Sequence, residues 1–242
     1  MAKKSAKSKE ERTVESDAAA EADGGQSVYK LIRLDIVEGR LEAGTRLNVS
    51  QLARRYGSSS NPVREALQQL RGEGFVQFTH NRGARVRPID EDFMRNMYEI
   101  TALLEPYMLR WFVDNATDAD IARLEEIQAD IESTGLDDPT AYGPLDDAFH
   151  AVLNGAHYNP IAIDIWHHRR ETLRAVSLKI PIGRMRREAI IRQHRGIIDC
   201  VRRHDVEAAS ALIVEHINGA AEHVFQNLRA ERAASAPRPI IA

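Results

Sequence analysis

One cysteine, Cys200, in 242 residues excludes any disulfide within a single chain, and with it a fold stapled by cross-links. It sits in an apolar helical pattern and reads as a buried thiol. No apolar run approaches the ~18 residues that a membrane-spanning helix needs. The basic opening MAKKSAKSKEER has no apolar stretch behind it, so no secretory signal is expected. Together these absences describe a soluble protein of the reducing cytoplasm. No internal repeat is visible. An excess of positive charge is also missing: the net charge is −3, which at first argues against a nucleic-acid partner.

Dividing the chain reverses that argument. Residues 26–89 hold 11 Lys/Arg against 5 Asp/Glu, a net +6, whereas residues 90–242 hold 17 against 25, a net −8. A small basic domain joined to a larger acidic one suits DNA binding at one end. Residues 1–25 have no apolar periodicity and read as a disordered tail. The domains expected are the tail, a DNA-binding domain over 26–89, an all-helical domain over 90–232, and a frayed end over 233–242.

The basic domain centres on VSQLARRYGSSSNPVREALQQLRGEGFVQFTHNRGARVRP, residues 49–88. Ser50 is expected to cap a short helix with Leu52, Ala53 and Tyr56 inward, stopped at Gly57. Asn61-Pro62 reads as the start of a second helix, since Pro fits where the N–H would be unpaired anyway. Val63, Ala66, Leu67 and Leu70 then form one buried stripe, leaving Arg64, Gln68 and Arg71 outward. Phe75 to Thr79 and Ala84 to Arg87 alternate around a turn at His80–Gly83, which predicts a two-stranded hairpin. A helix-turn-helix followed by a basic hairpin is a winged helix, with its second helix in a major groove. Before it, Val28, Leu31, Ile32 and Ile36 predict an amphipathic helix, and Leu41 and Leu47 flank a turn at Gly44.

The stretch LARRYGSSSNPVREALQQLRGEGFV with the later NRGARV resembles the winged helix of the GntR family of bacterial transcription regulators. Pro62-Val63-Arg64-Glu65-Ala66-Leu67 matches the core of that family's motif. Ser60-Asn61 departs from the Arg-Thr that usually precedes the Pro. The expected DNA-binding residues are Arg54, Arg55, Ser60, Asn61, Arg64, His80, Arg82, Gly83 and Arg85. Arg64 is assigned a base edge; Arg54, Arg55, Arg82 and Arg85 are assigned phosphates or the minor groove.

From Asp90, which can cap the next helix, to about Arg232 the pattern is helical throughout. Helices are expected over 91–114, 118–134, 138–155, 159–178, 183–203 and 205–231, packed as an antiparallel bundle. Asp146 and His150 are four apart on one helix face, at the edge of the Leu145/Phe149/Val152 stripe. His194 shares a stripe with Ile190, Ile197 and Val201, and His216 lies among Ile213, Ile217, Ala220 and Val224. Buried imidazoles need partners, and a divalent metal would satisfy all of them. Three nitrogens and one oxygen suit Zn²⁺, and also Ni²⁺ or Mn²⁺. A lone His on an apolar face is more often a hydrogen-bonded core residue than a ligand. Rivals exist in His157, His167, His168, His204 and His223.

The segments DDAFHAVL and RQHRGIIDCVRRHDVEAASALIVEHI resemble the FCD effector domain of the FadR-type branch of GntR regulators. The resemblance implies a metal held by Asp146, His150, His194 and His216. Gln193 stands where Glu is common. Thr101 stands where the family often has an Arg that helps hold an acidic effector.

The reading is a mainly α protein, a winged helix-turn-helix followed by a helical bundle. It would act as a transcription repressor on operator DNA, as a homodimer, controlled by a small-molecule effector. One winged helix covers too few base pairs for specificity, so a symmetric pair is expected. The alternatives are a metal-dependent enzyme with a DNA tether and a structural DNA-binding protein without effector. A hydrolase would need a general base beside the metal, and no further acid stands at a recognisable spacing. His204-Asp205 spells a dipeptide of metal phosphohydrolases, but it lies at a helix break. Trp166 to Arg170 forms a polar-rich turn that suits either a pocket or a solvated face.

Overall fold

The computed structural model describes residues 28–79, 83–134, 138–177 and 180–235. The tail, the wing tip at His80–Arg82 and the end beyond residue 235 lie outside them. The chain divides into two compact units between Ile89 and Asp90.

In the first unit α1 (28–37) is followed by β1 (Arg46–Leu47), α2 (Val49–Arg55), α3 (Ser60–Gly72), β2 (Val76–Thr79) and β3 (Gly83–Val86). Its core gathers Ile32, Val63, Leu67, Leu70, Phe75 and Val86. The expected inward set of α1 needs one correction: Leu31 is exposed and Tyr29 is buried. At about 100° per residue, Val28, Ile32 and Ile36 centre the face on the side of Tyr29 and leave Leu31 well off it.

The helix starts also differ from the expectation. Asn48, not Ser50, caps α2: its Oδ1 accepts from the N–H groups of Ser50 and Gln51 at 3.0 and 3.2 Å. α3 begins at Ser60 after an extended Ser59, so Asn61 and Pro62 lie inside its first turn. Pro62 is tolerated because first-turn N–H groups have no partner within the helix. The wing is three-stranded, in the order β1-β3-β2, with Arg46 opposite Arg85 and Leu47 opposite Ala84.

The second unit is a bundle of α4 (Glu91–Asn115), α5 (Asp118–Thr134), α6 (Pro139–Asn154), α7 (Pro160–Ser177), α8 (Arg184–Arg202) and α9 (Val206–Ser235). Every expected helix is present within one or two residues at its start. The last one runs to Ser235, past the expected fraying point. Side-chain caps set several starts. Asp90 Oδ1 accepts from Phe93 N at 2.9 Å, and Asp205 Oδ1 from Ala208 N at 3.1 Å. Thr117 and Asp120 bond each other's backbone N–H in a reciprocal cap at the start of α5. α4 lies along α9, α8 packs on α9, and α5 sits against α6 and α8. This arrangement turns the inner faces of α6, α8 and α9 toward one another around Phe149, Leu153 and Ile197.

Candidate functional site

Each unit carries one candidate site. In the first, a groove between α3 and the wing is lined by Arg46, Asn48, Ser50, Arg64, Gln68 and Gly83, among others. Arg64 and Gln68 are one helical turn apart and exposed, as are Arg54, Ser60 and Asn61. Two of the expected contacts have work inside the domain. Arg55 Nη2 pairs with Asp35 Oδ2 at 2.5 Å, and Arg85 Nη1 donates to the Gly44 carbonyl at 2.7 Å. Asp35 is buried. Burial works to raise its pKa, but the bonds from Tyr56 and Arg40 and the Arg55 charge outweigh it and hold the carboxyl below its usual range. Arg46, which the sequence reading passed over, lies beside Gly83 on the groove wall. A two-residue strand leaves no periodicity by which to find it. His80 and Arg82 lie outside the described residues.

In the second unit, α6 supplies Asp146 and His150, α8 supplies His194 and α9 supplies His216. One ligand atom from each lies within 4.8 Å of all the others. The three histidines are buried, and the Phe149 ring stacks on His194 at 4.1 Å. Each Nδ1 is engaged outside the cluster: His150 with Glu105 Oε2 at 3.2 Å, His194 with Gln128 Oε1 at 2.9 Å, His216 with Gln193 Oε1 at 3.3 Å. The Nε2 atoms of His150 and His194 are buried without a hydrogen-bond partner. His194 Nε2 lies 3.7 Å from Asp146 Oδ1.

Leaving buried nitrogens unpaired costs roughly 1–3 kcal/mol each. The residues therefore fit a divalent cation: three imidazole nitrogens and a carboxylate oxygen converge, and at least two of them lack any other partner. The electrostatics agree. Burial lowers the His194 pKa from 6.5 to about 3, against the pull of Asp146, and burial likewise pushes His216 well below its usual value. Asp146 is half-buried. Burial would raise its pKa, yet the Arg170 charge and the neighbouring histidines hold it far below the usual carboxylate range. Tyr142 donates to Asp146 Oδ1, and Arg170 pairs with its Oδ2.

Beside the cluster a cavity of about 130 Å³ is lined by Asp146, His150 and His216, by Arg170 and Arg186, and by apolar side chains such as Leu173 and Val224. Thr101 lines it too, its hydroxyl donating to the Met97 carbonyl at 2.8 Å. Arg186 was not foreseen. Its Nη2 donates to the His216 carbonyl at 3.0 Å, and a Cβ on Gly219 would meet its Nη1 at 2.5 Å. A side chain at that position would push the guanidinium aside. The Trp166–Arg170 tract splits by face. Trp166 Nε1 donates to Glu105 Oε1 at 3.0 Å and Arg170 enters the cavity, while His167 and His168 are exposed. Other rivals are used elsewhere: His204 bonds the Val113 carbonyl, His223 the Pro181 carbonyl, and His157 packs against Tyr107 and Tyr158. Asp205 caps α9, which accounts for the His204-Asp205 pair.

Residues 25–86 match the bacterial regulatory proteins of the gntR family, and residues 96–219 match the FCD domain. The HTH-type transcriptional repressor RspR of Escherichia coli (strain K12) is 28% identical over 218 residues, covering 88% of this chain and 94% of that protein. The HTH-type transcriptional repressor NanR of Edwardsiella tarda is 30% identical over 176 residues, covering 64% and 67%. Among solved structures, E. coli McbR/YncC shares the fold with a TM-score of 0.65 at 19% identity, over 84% of this chain and 98% of the other.

Proposed function

The chain belongs to the GntR family of DNA-binding transcription regulators and carries an FCD effector domain, and from that premise we propose a metal-dependent, ligand-responsive repressor that works as a homodimer. The observation that carries this reading is the junction, in one chain, of a basic winged helix and a cavity beside three converging imidazoles, two of which have a buried Nε2 without a hydrogen-bond partner.

In the first unit Arg64 reads a base edge from α3. Arg54, with Arg46, Arg82 and Arg85 around the wing, meets phosphates or the minor groove, and Ser60, Asn61, His80 and Gly83 complete the contact surface. Arg55 contributes through its remaining N–H groups while Nη2 is anchored on Asp35. One such unit covers a half-site. The second copy is supplied by dimerisation through the second unit, which exposes Leu103 (73%), Ile161 (69%) and Tyr158 (65%), with Ile100, Tyr107 and Ile165 nearby in sequence on α4 and α7. Large apolar side chains gathered on two packed helices need cover, and a symmetric pair supplies it.

In the second unit Asp146, His150, His194 and His216 would hold Zn²⁺, with Ni²⁺ and Mn²⁺ as alternatives. The bound ion would offer a Lewis-acidic anchor for an oxygen of the effector. Arg170 and Arg186 border the same space, and Leu173 and Val224 exclude water from it. Effector binding that favours one spacing of the two reading heads changes operator affinity. Repression is relieved when the effector is bound. The protein acts where its operator is, in the cytoplasm.

Fluorescence anisotropy with duplexes from the gene's own upstream region tests this. Salt-sensitive, saturable binding that exceeds binding to random DNA is the expected result; equal binding to both rejects operator recognition. A thermal-shift screen of metabolites, with and without chelator, tests the effector half. Hits that vanish with chelator support the site.

A further inference from the structure

The three imidazoles are oriented by different partners, and two of those partners are amides. We propose that Gln128 and Gln193 are positioning residues that hold the metal-facing tautomers of His194 and His216, and that each takes its own orientation from an outlying carboxylate, Glu132 or Glu215. The proposal rests on the metal reading above and adds how the site is set from outside.

A glutamine amide has two unlike ends, an oxygen that accepts and a nitrogen that donates. Gln128 Nε2 donates to Glu132 Oε1 at 2.9 Å. A carboxylate only accepts, so turning the amide over would set oxygen against oxygen. Gln128 must therefore present Oε1 to His194 Nδ1, 2.9 Å away. That nitrogen must carry the proton. A neutral imidazole has one N–H, so Nε2 keeps its lone pair, and Nε2 is the buried, unpartnered atom facing Asp146. Glu132 is itself fixed, because Arg195 grips both of its oxygens at 2.7 and 3.0 Å. The fully buried Gln128 has no water with which to exchange these bonds.

Gln193 repeats the arrangement. Its Nε2 donates to Glu215 Oε1 at 2.8 Å, and its Oε1 accepts from His216 Nδ1 and from Arg186 Nη1, both at 3.3 Å. His150 differs: its acceptor is the carboxylate of Glu105, held by Trp166. A carboxylate behind a ligand histidine orients the ring and raises its basicity most; a neutral amide oxygen orients it and polarises it less. Two of the three nitrogens are thus directed without added charge.

The test uses the full chain and Zn²⁺ alone. Zinc affinity is measured by chelator competition, melting temperature is recorded on the metal-free protein, and the His194 tautomer is read from its ¹⁵N shifts. Gln128→Met keeps length and removes the acceptor; it should weaken zinc roughly 10–100-fold. Glu132→Ala leaves every buried group in place. It should weaken zinc several-fold, with His194 shifting to mixed tautomers in the metal-free protein. The exchange Gln128→Glu with Glu132→Gln restores an acceptor and a donor in the reverse places, and should bring affinity back to the parent's or above. Zinc binding by Gln128→Met within about threefold of the parent, well short of the second-shell effect, overturns the proposal. So does an Nε2–H tautomer in the metal-free parent. If Gln128→Met does not fold, unchanged affinity and tautomer in Glu132→Ala overturn it instead. A parent that binds no zinc removes the metal reading as well, whereas a parent that binds zinc while both single variants match it removes only the positioning.

Discussion

Among the described residues the winged-helix unit buries one charged or polar side chain, Asp35, whereas the helical unit buries ten, from Thr101 and Glu105 to His194 and His216. The two units place their chemistry on opposite sides of the surface. In the first, the interior is apolar and its one buried carboxylate is saturated by Arg40, Arg55 and Tyr56 at 2.5–2.6 Å. The arginines proposed to contact DNA from α2 and α3, Arg54 and Arg64, are exposed, so meeting a polyanion would cost them little desolvation. In the second, polar groups have been carried into the core at a cost that only converging partners offset. A protein that binds a long charged polymer can work from its outside. One that encloses a small molecule must prepare its inside.

The sharpest attack on this contrast is His194→Ala. It should abolish zinc binding, with the loss of roughly 3–4 kcal/mol of ligand-linked stability at zinc 100- to 1,000-fold above Kd. The melting of zinc-loaded and chelated variant should then coincide. Operator affinity of the metal-free proteins should be unchanged. Zinc stoichiometry equal to the parent's would remove His194 from the site.

Acid should separate the units next. His194 takes a proton near pH 6.5 when unfolded but, because burial disfavours its charged form, only near pH 3 when folded. Unfolding therefore takes up a proton below pH 6.5, so the stability is full above that pH and is lost as pH falls toward 3. At about 1.4 kcal/mol per unit, the metal-free helical unit should lose on the order of 3 kcal/mol by pH 4. Asp35 has the same sign but a lower window: its folded pKa is held below 3.8, so its contribution is full above that value and is lost only as the pH falls below it. Hydrogen exchange resolved by segment, at pH 7 and pH 4.5, should show opening in α6, α8 and α9 before α1 to α3. Simultaneous opening would break the comparison.

On the outer surface the effects are smaller. Arg64→Ala should cost about 1–3 kcal/mol of operator binding and less on random DNA. Equal losses on both would demote Arg64 to a phosphate contact. Arg54→Ala should weaken both duplexes alike, by less than about 1 kcal/mol, and lower the salt slope by about one. Titrations at several salt concentrations check it.

Much of this was legible along the chain because it repeats along the chain. Helices α4 to α9 announce themselves through stripes at 3.6 spacing, and the stripe of α3 carries Val63, Ala66, Leu67 and Leu70 in the places expected. His194 and His216 lie on apolar stripes in the sequence, Asp146 and His150 at the edge of one, and the structure brings a ligand atom from all four within 4.8 Å. The errors have local causes. Ser50 as a cap and Asn61 as a helix start fit by residue type, while Asn48 and Ser59 occupy the capping positions by backbone geometry. Leu31 was placed inward because one helical turn admits two neighbouring faces. Arg55 looked like a free surface cation, and its partner Asp35 lies 20 residues away on another helix.

By itself the sequence determined the split of charge, the order of elements, the faces that must be buried and the residue types that meet there. Each of these follows from spacing within a single helix or strand. Tertiary structure alone decided which atom of each ring points inward. Glu105 reaches His150 across 45 residues and Gln128 reaches His194 across 66. It also decided that Arg186 would enter the cavity over the bare backbone of Gly219. Hydrogen bonds act over about 3 Å of space, and no periodicity in a chain records which distant segments will come that close.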